Sequence, residues 1–233
     1  MRQYDLCVSE RAWENMSSEA WSQTLPALLQ KVNGLNYDYA GGDGIDFEPY
    51  TQFLSKEETG NWIRAWTGNS EIGGEQFRIF GQDGTGGLAA FWSQRSTDDL
   101  LNQPVVFLGS EGEVGVVARN FGEYFLLLTS GVDPREAIVD GPSMCKSGDP
   151  FASVATEYGG SQNLSPEEIL KRADEEFPQF ESWIDSLCRR EKAYPCFVRL
   201  THNRQLSHSL RSLGRSTCGE DMNHVLVLGD LAS

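Results

Sequence analysis

The sequence has few of the residues from which catalytic and metal sites are most often built. It contains 3 His and 5 Cys among 233 residues, and the Cys are scattered along the chain. An odd number of dispersed Cys is not a disulfide framework and indicates reduced thiols in a cytoplasm. No apolar run is long enough to span a bilayer, and residues 1–16 contain no apolar signal region. The sequence therefore predicts a soluble cytoplasmic protein that is not exported.

Basic residues are also scarce, with 19 Lys and Arg against 34 Asp and Glu and a net charge of −15. Seven of the basic residues lie within 189–215 beside a single acidic residue, Glu191, so the rest of the chain is more acidic still. An acidic body disfavours nucleic acid and favours a basic protein as partner, although the charge could instead serve solubility alone. The basic segment lacks interleaved aromatic residues, which disfavours nucleic-acid binding there too.

Recognised motifs of catalysis and phosphate binding are missing. The glycine-rich stretch Gly81–Gly87 does not follow G-x-G-x-x-G, and the apolar run after it predicts a strand where a phosphate loop must open a helix. There is no P-loop Lys-Ser/Thr pair and no nucleophile elbow. We therefore predict no catalytic residues, no cofactor and a non-enzymatic protein.

The sequence offers residues for two metal sites and favours neither. Asp43 and Asp46 lie in a Gly-rich stretch, but the distal Glu of a calcium loop is missing. A zinc site in the C-terminal part would lack a close Cys-x-x-Cys pair. The residues available for it are Cys188, Cys196, His202, His208, Cys218 and His224.

The strand-rich centre of the sequence includes the stretch from Phe77 to Leu108. Two apolar runs, Phe77–Phe80 and Leu88–Trp92, flank the Gly/Asp turn, and a third run, Pro104–Leu108, follows. Together with Val114–Ala118 these runs predict antiparallel strands joined by turns. Two further short strands are predicted near the C-terminus, over 197–200 and 225–228.

Helix-start signals surround this strand-rich centre. Ser55 and Glu58 form a predicted capping box, and a helix is expected to run to about Trp66 with Trp62, Ile63 and Trp66 packing into the core. Helical spacing between Trp21 and Val32 is interrupted by Pro26, so that helix is kinked or begins there. Further helix starts are predicted at Asn120 with Glu123, at Asp133-Pro134 and at Ser165-Pro166. The helix after Asn120 is expected to bury Phe121, Phe125, Leu126 and Leu128.

Several stretches together resemble the SUKH superfamily. They are GGDGIDFEPY, NWIRAWTGN, FRIFGQDGTGGLAAFW, PVVFLGSEG with VGVVA, and NFGEYFLLLTSG, covering roughly residues 20–140; FESWIDSLC at 180–188 resembles the end of the family pattern. The resemblance implies an α+β fold with a curved, mostly antiparallel sheet and flanking helices. It also implies a protein-binding role without catalysis. Many bacterial members are immunity proteins that neutralise polymorphic toxins, often nucleases, and fungal members regulate cell-wall synthesis.

On this basis we predict a single SUKH-like domain over 1–233. It would have a core over about 20–188, a connector loop over 141–164 and a C-terminal extension over 189–233.

The leading hypothesis is a bacterial immunity-type protein that binds a basic toxin domain, because nuclease toxins need basic surfaces to grip phosphate. One alternative is a regulatory or scaffold module of the same fold, and another is a hydrolase that uses carboxylates in the Gly-rich region. Candidate contacts are acidic residues in turns near the sheet. They are Asp43, Asp46, Glu48, Asp83, Glu111 and Glu113.

Overall fold

The structure is a computed structural model of the chain, and it describes residues 21–35, 37, 45–97, 99–141 and 164–188. Apart from its two end residues, the connector predicted over 141–164 lies outside this range. The extension 189–233, with its two predicted late strands, lies outside it as well. Within the described residues the fold is α+β, with a five-stranded open antiparallel sheet and flanking helices.

The sheet is a meander in which each strand pairs with the next one in the chain. All four pairings are antiparallel, and the predicted strand runs are confirmed. Register shifts occur in β2 between Ile79 and Gly81 and in β4 between Val105 and Val106, and such bulges bend a strand and increase its twist. The strands are β1 (Glu48–Pro49), β2 (Phe77–Gln82), β3 (Leu88–Trp92), β4 (Val105–Leu108) and β5 (Val114–Ala118).

Six α-helices flank the sheet in the described part of the chain. They are α1 (Ala27–Asn33), α2 (Lys56–Thr67), α3 (Phe121–Thr129), α4 (Pro134–Val139), α5 (Pro166–Glu176) and α6 (Phe180–Leu187). A single 3-10 turn, Leu100–Asn102, precedes β4. Among these elements no helix combines the length and the apolarity that crossing a bilayer requires.

The helix starts follow the predicted capping residues. The amide of Glu58 donates to Ser55 Oγ at 3.1 Å and the amide of Ser55 donates to Glu58 Oε2 at 2.9 Å, so the capping box is confirmed. Asn120, Asp133 and Ser165 each accept a hydrogen bond from the amide three residues later. Helix α1 begins directly after Pro26, which settles the choice between a kink and a start in favour of a start.

The buried face of α3 differs from the predicted one. Leu126 is only partly buried, whereas Tyr124 and Leu127 are fully buried beside Phe121 and Leu128. Helix α3 packs against β5, α5 and the 3-10 turn, so more of its surface is buried than periodicity indicated.

Both faces of the sheet are packed. Phe80, Phe91 and Phe107 belong to one apolar cluster with α1 and α3. Residues that alternate with them, such as Ile79 and Trp92, belong to a second cluster with α2 and α6. Antiparallel sheets often leave one face in water and then show alternating sequences. Here β3, β4 and β5 are buried at every residue, which explains their continuous apolar runs.

The two edges of the sheet are protected differently. Helices α5 and α6 pack beside β5, which is buried throughout. At the opposite edge β1 is two residues long and contains Pro49. The amide of Tyr50 donates inward to the Phe80 carbonyl at 2.9 Å, so the preceding backbone position faces outward, where proline has no N–H to offer.

Position 81 requires glycine because an aromatic ring packs directly on its backbone, and not because the chain turns there. A Cβ built on Gly81 would lie 2.1 Å from Phe47 Cζ, because the Phe47 ring rests directly on this part of β2. We expect Gly81→Ala to lower the free energy of unfolding by about 1–3 kcal/mol through overpacking. Urea unfolding measures the change, with Gly34→Ala as the control, since its Cβ would come no closer than 3.4 Å to other atoms. Recovery of stability in the Gly81→Ala/Phe47→Leu double variant would tie the loss to this contact; no recovery would refute it.

Candidate functional site

The glycine-rich turn between β2 and β3 is a hairpin turn filled by its own aspartate. Asp83 Oδ1 accepts hydrogen bonds from the Thr85 amide at 2.9 Å, the Thr85 hydroxyl at 2.8 Å and the Gly87 amide at 2.8 Å. Gly86 takes the left-handed conformation that closes the turn, with φ 87°. The Gly87 backbone is in close contact with the Phe107 ring. The turn therefore has no open space for a phosphate.

Asp83 was predicted as a candidate contact, and the structure places its side chain inside the turn. Its side chain is 0% exposed, so as folded it presents no surface to a partner. The second oxygen, Oδ2, accepts no hydrogen bond from the described residues and lies 4.0 Å from Arg135 Nε on α4. Arg135 also lies 3.7 Å from Asp140 Oδ2. Asp83 thus organises the turn and joins it to α4.

Asp46 and Glu48 lie beside this turn. Asp46 Oδ1 accepts a hydrogen bond from the Gly84 amide at 3.0 Å, and Glu48 Oε2 accepts one from Gln82 Nε2 at 2.7 Å. Glu48 is exposed and Asp46 is half-buried. Asp43, the remaining candidate of this segment, lies outside the described residues.

Glu111 and Glu113 lie in the turn between β4 and β5. In an antiparallel meander this turn and the β2–β3 turn share one end of the sheet, and the hydroxyls of Ser110 and Thr85 are 3.3 Å apart. Glu111 is exposed, whereas Glu113 is half-buried and its carboxylate folds back over Gly109. The structure therefore brings Asp46, Glu48, Glu111 and Glu113 to one end, which we call the acidic end.

A groove of about 330 Å³ lies between β1 and the start of α2. It is lined by Glu48, by Glu58 and by the segment 49–54. The Tyr50 hydroxyl donates to Gln82 Oε1 at 2.8 Å, and Gln82 in turn donates to Glu48. The sequence indicated Tyr50 as an aromatic anchor and Glu58 as a helix cap, and it did not indicate the groove that they line.

Neighbouring groups shift the pKa values of two side chains that line the groove. The pKa of Tyr50 is raised above its ordinary value by burial, and additionally by the negative charges of Glu48 and Glu58. The pKa of Glu58 is lowered by the hydrogen bonds from the Ser55 side chain and amide. Both carboxylates, Glu48 and Glu58, therefore disfavour ionisation of the Tyr50 hydroxyl.

Metal ligands do not gather anywhere in the described ranges. No group of three or more His, Cys, Asp or Glu is placed there so that it could hold a metal ion. Asp46, from the weighed calcium loop, is hydrogen-bonded to the Gly84 amide. Of the candidate zinc ligands, Cys188 is half-buried and follows the last residue of α6, and the other five lie outside the described residues.

Comparisons of the chain with protein-family models, with curated proteins and with solved structures gave no significant match.

Proposed function

We propose that this chain is a protein-binding member of the SUKH superfamily, and that it acts as an immunity-type protein that neutralises a basic toxin domain by direct binding in a bacterial cytoplasm. The proposal rests on the resemblance of residues 20–140, and an antiparallel sheet with flanking helices is the architecture that the resemblance implies.

The observation that carries the proposal is the acidic end. Because helices cover both faces of the sheet, the sheet meets solvent at its ends and at the β1 edge. Carboxylates from two separate segments gather at one of these ends, within a chain of net charge −15. Complementary charge of this kind accelerates association with a basic partner and selects against acidic ones.

A non-catalytic role agrees with the state of the carboxylates. A hydrolase in the Gly-rich region would need an open pocket there, and the Asp83 side chain fills the turn. The groove does hold two carboxylates, but the pKa of Glu58 is lowered, and a general acid needs the opposite shift.

The experiment measures binding to the toxin-like product of the neighbouring gene by stopped-flow at low and at physiological salt. A variant that neutralises the acidic end should associate about 10- to 100-fold more slowly at low salt and lose most of the salt dependence. The variant carries Asp46→Asn, Glu48→Gln, Glu111→Gln and Glu113→Gln.

A control variant removes the same number of charges elsewhere on the exposed surface. It carries Glu167→Gln, Glu175→Gln, Glu181→Gln and Asp185→Asn, all on α5 and α6. Equal slowing in both variants would refute the acidic end as the contact. Failure of the unaltered chain to bind or inhibit a neighbouring toxin would refute the immunity function, and several weak partners in a pull-down would favour the scaffold alternative.

A further inference from the structure

The groove beside β1 is a shallow, open depression in the acidic surface, and hydrogen bonds hold its polar groups in place. The Tyr50 hydroxyl donates to Gln82 Oε1, and Gln82 Nε2 donates to Glu48 Oε2, so the phenol hydrogen is used inside the fold. Glu58 is held in place by the Ser55 amide. The phenol oxygen and the two carboxylates are left as hydrogen-bond acceptors toward the groove.

A group that matches such a site carries positive charge, donates several hydrogen bonds and accepts none. The guanidinium of arginine has these properties, and it is planar, so it can bond a carboxylate with two N–H groups and lie against an aromatic ring. A lysine ammonium carries the same charge but lacks the plane and the paired donors.

The shape of the edge favours a side chain over an added strand. Pro49 offers no outward N–H, so a peptide cannot continue the sheet there by a regular ladder. The groove has about 330 Å³ and opens beside this edge. Its apolar walls, from Pro49 and Leu54, suit the methylene stem of a long side chain.

We propose that the groove between Glu48, Tyr50 and Glu58 receives an arginine side chain of the protein partner. This inference rests on the proposed function, since it names the group that the partner inserts. It makes the groove a specificity pocket, whereas the acidic end supplies long-range attraction.

The test uses short peptides and needs no toxin. Acetyl-Gly-Arg-Gly-amide is titrated into the isotope-labelled chain and amide shifts are recorded by NMR, in parallel with the lysine peptide and with the citrulline peptide, which keeps the shape of arginine without its charge. We expect saturable shifts centred on residues 50–54 and 58 for the arginine peptide, weaker binding of the lysine peptide, and none for citrulline.

Two variants of neighbouring glutamates sharpen the result. Glu58→Gln keeps the capping box, because glutamine also serves at that position, and should weaken arginine-peptide binding about fivefold. Glu57→Gln removes an exposed charge one residue away that does not line the groove, and should change binding less than about twofold.

Three results would overturn the inference: equal binding of the lysine peptide, equal weakening by both variants, or shifts spread over other acidic surfaces. Binding of the arginine peptide without binding of a toxin would support the arginine pocket and refute the immunity function. The failure of one proposal can therefore be told from the failure of the other.

Discussion

Replacing Trp92 by Ala is expected to lower the free energy of unfolding by about 3–5 kcal/mol, the range for deleting a large buried aromatic side chain. Trp92 is 1% exposed in the central strand β3. Its ring centroid lies 4.6 Å from that of Phe180 and 5.0 Å from that of Trp183, so the contact joins α6 to the sheet. Urea unfolding followed by far-UV circular dichroism measures the loss without relying on the deleted fluorophore.

The matched control is Trp92→Phe. The indole Nε1 of Trp92 is buried and has no hydrogen-bond partner in the described part of the chain, so removing it relieves an unsatisfied donor while most of the ring contact remains. We expect this variant to lose less than about half as much stability as Trp92→Ala. A loss below about 1 kcal/mol for the Ala variant would contradict the packing of α6 on β3.

Asp83→Ala is expected to lower the free energy of unfolding by about 2–4 kcal/mol, because three hydrogen bonds disappear and the buried Gly87 amide is left without an acceptor. The turn should also become mobile, which hydrogen exchange at Thr85 and Gly87 would detect. Asp83→Asn keeps an acceptor at the Oδ1 position and should retain more of the stability.

Asp46→Ala is the comparison for the exposed surface. Asp46 is half-buried and supplies one hydrogen bond, so its removal should cost no more than about 1 kcal/mol. If Asp83→Ala instead left stability unchanged and weakened partner binding, Asp83 would be a contact after all and its buried position in the turn would be wrong.

The parts of the fold that follow from neighbouring residues could be predicted. Ser55 with Glu58 and Asp133 with Glu136 are capped within three positions, so the sequence window contains both partners. The strands from Phe77 to Ala118 are continuous apolar runs separated by short turns, and adjacent runs pair with each other in the sheet. No long-range information is needed for either feature.

The features that depend on distant residues could not be predicted. The burial of Asp83 could not be predicted, because nothing in the neighbouring sequence indicates that Phe107 packs on Gly87 of the same turn or that Arg135 approaches the carboxylate. The hydrogen bond that orients the Tyr50 hydroxyl at the groove comes from Tyr50 to Gln82, which is 32 positions away. The need for glycine at position 81 arises from Phe47, which comes from another segment, whereas the sequence indicated only a permissive turn.

The protected edges of the sheet have a consequence for how this chain behaves at high concentration. An intermolecular sheet grows by adding strands to an exposed row of backbone N–H and C=O groups. In the described sheet, helices cover the edge strand β5. The other edge strand, β1, is two residues long and ends in Pro49, so neither edge exposes a long row of unpaired backbone groups. Aggregation of this protein should therefore scale with the fraction of unfolded molecules, and destabilising variants such as Trp92→Ala should aggregate before the native protein does.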